Sequence, residues 1–78
     1  MENIDQTITN NLRREIESSR KKKSDIAKAV GISAPTLSQY LSGRAQPTLA
    51  TLTRLCRVLD ITADDILPTK LPTQKTPN

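Results

Sequence analysis

A group of small polar side chains in residues 33–42 could form hydrogen bonds with a partner molecule. On a helical wheel, with about 100° per residue, this segment has one apolar side and one polar side. The polar side consists of Pro35, Ser38, Gln39 and Ser42, with Thr36 at its edge and Ser33 and Ala34 at its tip. Exposed helix faces usually carry Lys and Glu, whereas this face has neither charge nor bulk. Such a face suits close approach to the base edges of DNA, where Ser, Thr and Gln can form hydrogen bonds; an ordinary solvated helix is the alternative interpretation.

The positive charge of the chain is concentrated around this segment. The whole chain of 78 residues has a net charge of +4, and residues 20–44 alone have +5, from six basic side chains and one acidic one. The basic residues are Arg20, Lys21, Lys22, Lys23, Lys28 and Arg44. This concentration favours a surface that binds a polyanion, although a solvated run of lysines accounts for the charge alone equally well.

The chain lacks the residues on which most enzymes and metal sites depend. It contains no histidine, two glycines and one cysteine, Cys56. These counts disfavour a disulfide within the chain, the usual zinc ligand sets, a glycine-rich phosphate loop and a nucleophile paired with a base. We therefore expect no enzyme activity, no metal and no cofactor. Tyr40 is the only aromatic residue, which disfavours stacking on single-stranded nucleic acid. No apolar run is long enough to span a membrane, so a cytoplasmic protein without membrane contact is expected.

The first predicted helix spans about residues 6–19 and has a periodic apolar stripe. Isoleucine and leucine recur every four residues, at Ile4, Ile8, Leu12 and Ile16. This spacing places them on one face of the helix. Asp5 or Thr7 is expected to cap its start.

A tight turn is predicted between helix 2, near residues 23–30, and helix 3. Gly31 favours a left-handed end of helix 2, because glycine adopts positive φ without strain. Ser33 is a good N-cap for helix 3, which ends at Gly43. So short a turn forces the two helix axes to cross steeply, and the small side chain of Ala27 lets the helices approach closely.

Helix 4 and a last short helix complete an all-α fold with five helices. Thr48 is expected to cap helix 4, and Asp60 to take the left-handed position after it. Thr62 and Asp65 have the spacing of a capping box for the fifth helix. The buried side of helix 4 is expected to consist of Leu49, Leu52, Leu55, Cys56 and Leu59.

The chain is predicted to have one folded domain, residues 1–67, and a flexible tail, residues 68–78. Pro68 stops the last helix, and the tail contains three prolines in eleven residues with little apolar content. A segment of this composition buries too little apolar surface to fold onto the domain.

Residues 23–42, KSDIAKAVGISAPTLSQYLS, resemble the helix-turn-helix of the XRE (Cro/cI-repressor-like) family of DNA-binding proteins. The matching positions are Ile26 and Ala27, then Val30, Gly31 and Ile32, then Leu37 and Tyr40. The resemblance continues through SGRAQPTLATLTRLCRVLDITADDIL and covers residues 8–67. It implies a five-helix, lambda-repressor-like DNA-binding domain with helix 3 in the major groove. It also implies that Lys23, at the start of helix 2, meets a phosphate.

The expected function is sequence-specific binding of double-stranded DNA by a transcriptional regulator that acts as a repressor. The expected DNA contacts are Lys23, Ser33, Ala34, Pro35, Thr36, Ser38, Gln39, Ser42 and Arg44. So small a domain covers few base pairs, so a homodimer on paired half-sites is expected. Candidate dimer contacts are Val58, Ile61, Leu67 and Leu71. The alternative is a protein-interaction module, such as an antitoxin or an anti-regulator, that presents the same fold to a protein partner.

Overall fold

Four α-helices and one 3₁₀ turn make up residues 3–69, the part of the chain that the computed structural model describes. The elements are α1 (Ile4–Ser19), α2 (Lys23–Val30), α3 (Ala34–Ser42), α4 (Leu49–Leu59) and the 3₁₀ turn (Ala63–Asp65). There is no strand among residues 3–69, so the predicted all-α class is confirmed. None of the helices in this range is long and apolar enough to cross a membrane.

The prediction of a fifth helix after Thr62 is wrong, since the structure has only a single 3₁₀ turn at residues 63–65. The turn starts as expected, because the Thr62 amide donates to the carboxylate of Asp65 at 3.0 Å. Pro68 disfavours helical geometry at Leu67. Too few residues therefore remain after Thr62 to build an α-helix.

The predicted N-caps of α3 and α4 are confirmed, and the cap of α1 differs. The hydroxyls of Ser33 and Thr48 each accept a backbone N–H from the first turn of α3 and α4, at 3.2 Å. Helix α1 starts earlier than predicted, because Asn3 caps it by accepting the Gln6 amide at 3.0 Å. Asparagine is among the best capping residues, so Asp5 and Thr7 lie inside the helix instead.

The helices end in left-handed residues, and two of these are not glycine. Gly31 has φ 88° and Gly43 has φ 82°, as the sequence predicts. Asp60 also takes this conformation, with φ 58°, which confirms its predicted position after α4. The sequence gives no signal for Arg20, which ends α1 with φ 61°.

One apolar core joins all four helices and the closing turn. Its buried members are Leu12, Ile16, Ile26, Ala27, Val30, Leu37, Tyr40, Leu52, Leu55, Cys56, Leu59 and Ile66. Two expected core residues are instead exposed: Ile4 by 55% and Leu49 by 79%. Each is the first residue of its helix. The apolar stripe of the helix continues to this residue, but the core does not reach it. Val58, one of the candidate dimer contacts, packs against the core and is half-buried.

Polar side chains of α1 hold the closing turn in place. The Asn11 amide nitrogen donates to the Ile66 carbonyl at 2.9 Å, and the Arg14 guanidinium donates to the Asp65 carbonyl at 3.2 Å. Of the predicted tail, only residues 68 and 69 are described, and the Thr69 hydroxyl donates to the Asp64 carboxylate at 3.1 Å. The predicted dimer contact Leu71 lies outside the described residues.

The same substitution at two leucines of α4 should separate buried from exposed positions. Leu55 is fully buried, whereas Leu49 is 79% exposed. Leu55→Ala should lower the free energy of unfolding by about 2–5 kcal/mol, because it leaves a cavity in the core. Leu49→Ala should change it by less than about 0.5 kcal/mol. Urea denaturation of both variants measures this difference, and equal losses would contradict the packing of α4 described above.

The thiol of Cys56 should be unreactive in the folded protein. Burial, and secondarily the charge of Asp65, raise the pKa of this thiol above its ordinary value. The folded state therefore favours the neutral thiol and loses this stability as the pH rises through the raised pKa. Iodoacetamide near pH 8 should alkylate Cys56 only in denaturant, because the thiolate is the reactive form. Equal alkylation rates with and without denaturant would contradict this placement.

Candidate nucleic-acid interface

The turn between α2 and α3 fixes the direction in which α3 leaves the core. The Gly31 amide donates to the Ala27 carbonyl at 2.9 Å and to the Lys28 carbonyl at 3.2 Å. The Ile32 amide also donates to the Ala27 carbonyl, at 2.9 Å. Ala27 is itself buried in the core that contains residues of both helices. Leu37 of α3 is also buried, on the side of α3 that faces the core.

The predicted DNA contacts of α3 lie together on its outward side. Those that are exposed are Ser33, Ala34, Pro35, Ser38, Gln39 and Ser42. Thr36 differs, since it is half-buried. Lys23 and Arg44 are exposed on the segments that flank α3 in the chain. Eight of the nine predicted residues are therefore exposed, and α3 itself has no acidic residue.

Hydrogen bonds within α3 divide its polar side chains into two groups. Ser33 and Thr36 bond to each other through their hydroxyls at 2.8 Å. The Ser42 hydroxyl donates to the Gln39 carbonyl at 3.1 Å. In residues 3–69, no intramolecular partner engages the side chains of Ser38 and Gln39. These two side chains retain all their donors and acceptors for a ligand.

Two concavities flank a ridge on the outward side of α3. Ser38 and Ser42 line both of them, and therefore form the ridge between them. One concavity, of about 470 Å³, extends from α3 to Arg13 and Lys23. The other, of about 360 Å³, extends from Gln39 to Arg44. Each side of the exposed ridge thus has at least one cationic side chain.

The positive charge near α3 is not neutralised by neighbouring acids. Within residues 3–69, the one ion pair joins Arg14 to Glu15 at 3.2 Å. Lys23 and Arg44 therefore have no carboxylate partner in this part of the chain. No group of His, Cys, Asp and Glu in the described residues could hold a metal ion.

Arg13 is the residue of this surface that the sequence did not single out. Its side chain is exposed, and its guanidinium donates to the Leu41 carbonyl in the last turn of α3. Within α1, Arg13 is only a good helix former next to the buried Leu12. The bond joins residues 28 positions apart, so no local pattern in the sequence could predict it.

A protein-family model described as Helix-turn-helix matches residues 12–66, which is more than half of the chain. The chain belongs to this helix-turn-helix family. The match confirms that the chain resembles the XRE-type family, both in residues 23–42 and in the residues after them up to 66. Family membership makes the chain a DNA-binding transcription regulator. The α2–turn–α3 unit is the helix-turn-helix of the family pattern.

A solved structure of the SOS-response transcriptional repressor LexA from Eubacterium rectale is similar to this chain. The two superpose with a TM-score of 0.79 at 26% sequence identity. The superposition covers 96% of this chain and 81% of the LexA chain. No curated protein matches the sequence.

Removing a cation beside α3 should weaken DNA binding in a salt-dependent way. Each phosphate that a protein neutralises adds about 0.9 to the slope of log affinity against log salt for duplex DNA. Lys23→Ala and Arg44→Ala should each lower this slope, by up to about one unit, and weaken all sequences alike. Fluorescence anisotropy with a labelled duplex at several salt concentrations measures the slope.

Arg57 provides the control for this experiment. It is exposed in the last turn of α4 and lines neither concavity beside α3. Arg57→Ala removes the same charge outside the proposed interface, so its slope should match that of the unmodified protein. If Arg57→Ala lowers the slope while Lys23→Ala and Arg44→Ala do not, the DNA lies on a different face.

Proposed function

We propose that the protein is a repressor that recognises specific double-stranded DNA sites by placing α3 in the major groove. One observation carries this proposal: α3 presents an exposed, acid-free polar ridge with unneutralised cations on both sides. An α-helix with its side chains is about 10–12 Å across, which fits a major groove about 12 Å wide. The cations then lie where the two phosphate backbones border the groove.

Gln39 is the residue best suited to recognise a base pair. It is exposed, has the longest side chain among the predicted DNA contacts of α3, and its side-chain amide has no partner within residues 3–69. A glutamine amide can donate to adenine N7 while it accepts from adenine N6, a pair of bonds that no other base offers. Ser38 can add a single hydrogen bond to a neighbouring base edge.

Ser33 and Thr36 have a different role in this proposal. Their hydroxyls bond to each other, and Ser33 also caps the helix by accepting the Thr36 amide. They therefore hold the tip of α3 in shape instead of selecting a base. Ala34, which is small and exposed beside them, lets this tip approach the DNA closely.

The proposed repressor binds as a homodimer on paired half-sites. Helix α3 has nine residues and is about 13 Å long, so one domain contacts only a few base pairs. Two domains on half-sites one helical turn apart, about 34 Å, supply the missing specificity. Of the candidate dimer contacts, Val58, Ile61 and Leu67 are half-buried against the core, so each retains some exposed apolar surface.

Repression is supported by the likeness to a structure named as a transcriptional repressor. A bound dimer that overlaps a promoter excludes the polymerase by occupying the same DNA. A protein-interaction module remains the second candidate, because Ile4 and Leu49 expose apolar side chains at the starts of α1 and α4. Specific duplex binding by the purified protein alone separates the two, since the module needs no DNA site of its own.

The test is a selection of bound sequences from random duplex DNA, followed by substitution of Gln39. Gln39→Ala should lose about 1–3 kcal/mol of binding free energy on the selected site and relax the choice at one base pair. Its salt slope should stay unchanged, because no charge is removed. Binding to the selected site and to all its single-base variants gives both quantities.

Gln46→Ala is the matched control, because Gln46 is an exposed glutamine outside α3. Its amide donates to the Asp5 carbonyl, at 3.4 Å, near the start of α1. This variant should keep the affinity and the base preference of the unmodified protein. A loss with Gln39→Ala that is equal on every base variant would make Gln39 a backbone contact, and no loss would remove α3 as the recognition helix.

A further inference from the structure

Two cations from separate helices face the same concavity beside α3. Arg13 of α1 and Lys23 at the start of α2 are both exposed, and both line the concavity of about 470 Å³. Its α3 wall contains the buried Leu37 and the hydroxyl-bearing Ser38. The fold thus places together two positive charges that are ten residues apart in the sequence. No acidic residue lines this concavity.

The guanidinium of Arg13 is held in place by the end of α3. It donates to the Leu41 carbonyl, one of the last four helix carbonyls that have no partner within the helix. This bond uses one of the five N–H donors of arginine. In residues 3–69, Arg13 has no other side-chain partner and no ion pair. Its other donors therefore stay available on a side chain whose orientation is already fixed.

The neighbouring arginine shows the contrasting case. Arg14 donates to Asn11 at 3.1 Å, to Glu15 at 3.2 Å and to the Asp65 carbonyl at 3.2 Å. Its charge is neutralised by Glu15, and its donors are used inside the domain. Two adjacent arginines on α1 thus differ in what they offer to a ligand.

We propose that Arg13 and Lys23 together bind one backbone phosphate of the DNA. This phosphate belongs to the strand on one side of the major groove, and Arg44 contacts the strand on the other side. This inference rests on the proposed function, since it assumes that α3 lies in the groove. A phosphodiester is an anion with two acceptor oxygens, which suits an arginine fork and a lysine ammonium that approach it together. The ridge of Ser38 and Ser42 separates this site from the concavity of Arg44, as a helix in the groove separates the two strands.

Arg13 also acts as a positioning residue for the recognition helix. The guanidinium that binds the phosphate is the one that holds the Leu41 carbonyl. The phosphate therefore fixes the distance between the DNA backbone and the last turn of α3. Ser38 lies one helical turn before Leu41, so its depth in the groove is set by the same contact.

Two substitutions of Arg13 separate its charge from the planar fork of its side chain. Arg13→Gln removes the charge and shortens the side chain, whereas Arg13→Lys keeps the charge without the fork. Arg14→Gln is the matched control, because it removes an arginine whose charge is already paired. Thermal melting by circular dichroism shows that each variant is folded at the temperature of the binding assay.

Affinity is measured between 50 and 200 mM salt on the selected duplex and on an unrelated duplex of the same length. Arg13→Gln should lower the salt slope on both duplexes by up to about 0.9, because Lys23 still contacts the shared phosphate. Its deficit in affinity relative to the unmodified protein should then be larger at 50 mM than at 200 mM salt, by up to about 3.5-fold. Arg13→Lys should restore the slope, and Arg14→Gln should leave it unchanged.

A scan of the selected duplex with single neutral methylphosphonates identifies the phosphate. At one position the substitution should weaken the unmodified protein several-fold and weaken Arg13→Gln by a smaller factor. Lys23→Gln should show a reduced response at the same position, because each variant keeps only one of the two cations that bind this phosphate.

Two results overturn the inference while the proposed function stands. One is that the unmodified protein and Arg13→Gln bind the selected duplex with the same salt slope. The other is a loss of affinity in both Arg13→Gln and Arg13→Lys without a change in slope, which would leave Arg13 only as a support for α3. If the unmodified protein binds no duplex specifically, the proposed function fails and this inference fails with it.

Discussion

The short turn at Gly31 is the constraint on which the whole interface depends. The amides of Gly31 and Ile32 both donate to the Ala27 carbonyl, so the chain leaves α2 in one direction only. Leu37 then enters the core beneath the two helices, where it is almost completely buried. Rotation of α3 about its axis would expose this side chain to water, at a cost of about 1.5–3 kcal/mol. The apolar contact on one side of α3 therefore keeps Gln39 and the ridge turned outward on the other.

Helix α1 supports this arrangement through its polar side chains as well as its apolar stripe. Asn11 and Arg14 donate to backbone carbonyls of the closing turn, and Arg13 donates to the end of α3. Short elements leave many carbonyls without a helical partner, so long side chains from the longest helix satisfy them. Because the described residues contain a single ion pair, Arg14 with Glu15, the positive field around α3 is not cancelled and can attract a polyanion.

The sequence predicted the features that a few neighbouring residues determine. Ser33 caps α3 and Gly31 ends α2 because their own chemistry fits those positions, and the polar face of α3 follows from its helical period. The exposure of Leu49 could not be predicted, because periodicity shows the face of a helix but not where the core stops along it. The bond from Arg13 to α3 joins distant parts of the chain, so it depends on how α1 packs. Arg20 takes a left-handed conformation without a residue type that favours it.

In the proposed complex the outward face of α3 lies against the DNA, and amide chemical shifts test this placement most directly. The isotope-labelled protein is titrated with its selected duplex, and the change at each backbone amide is followed by NMR. We expect the largest changes at residues 34–42 and at Lys23 and Arg44, with small changes at residues 55–66 of α4 and the closing turn. Changes concentrated at residues 55–66, with α3 unaffected, would contradict the account.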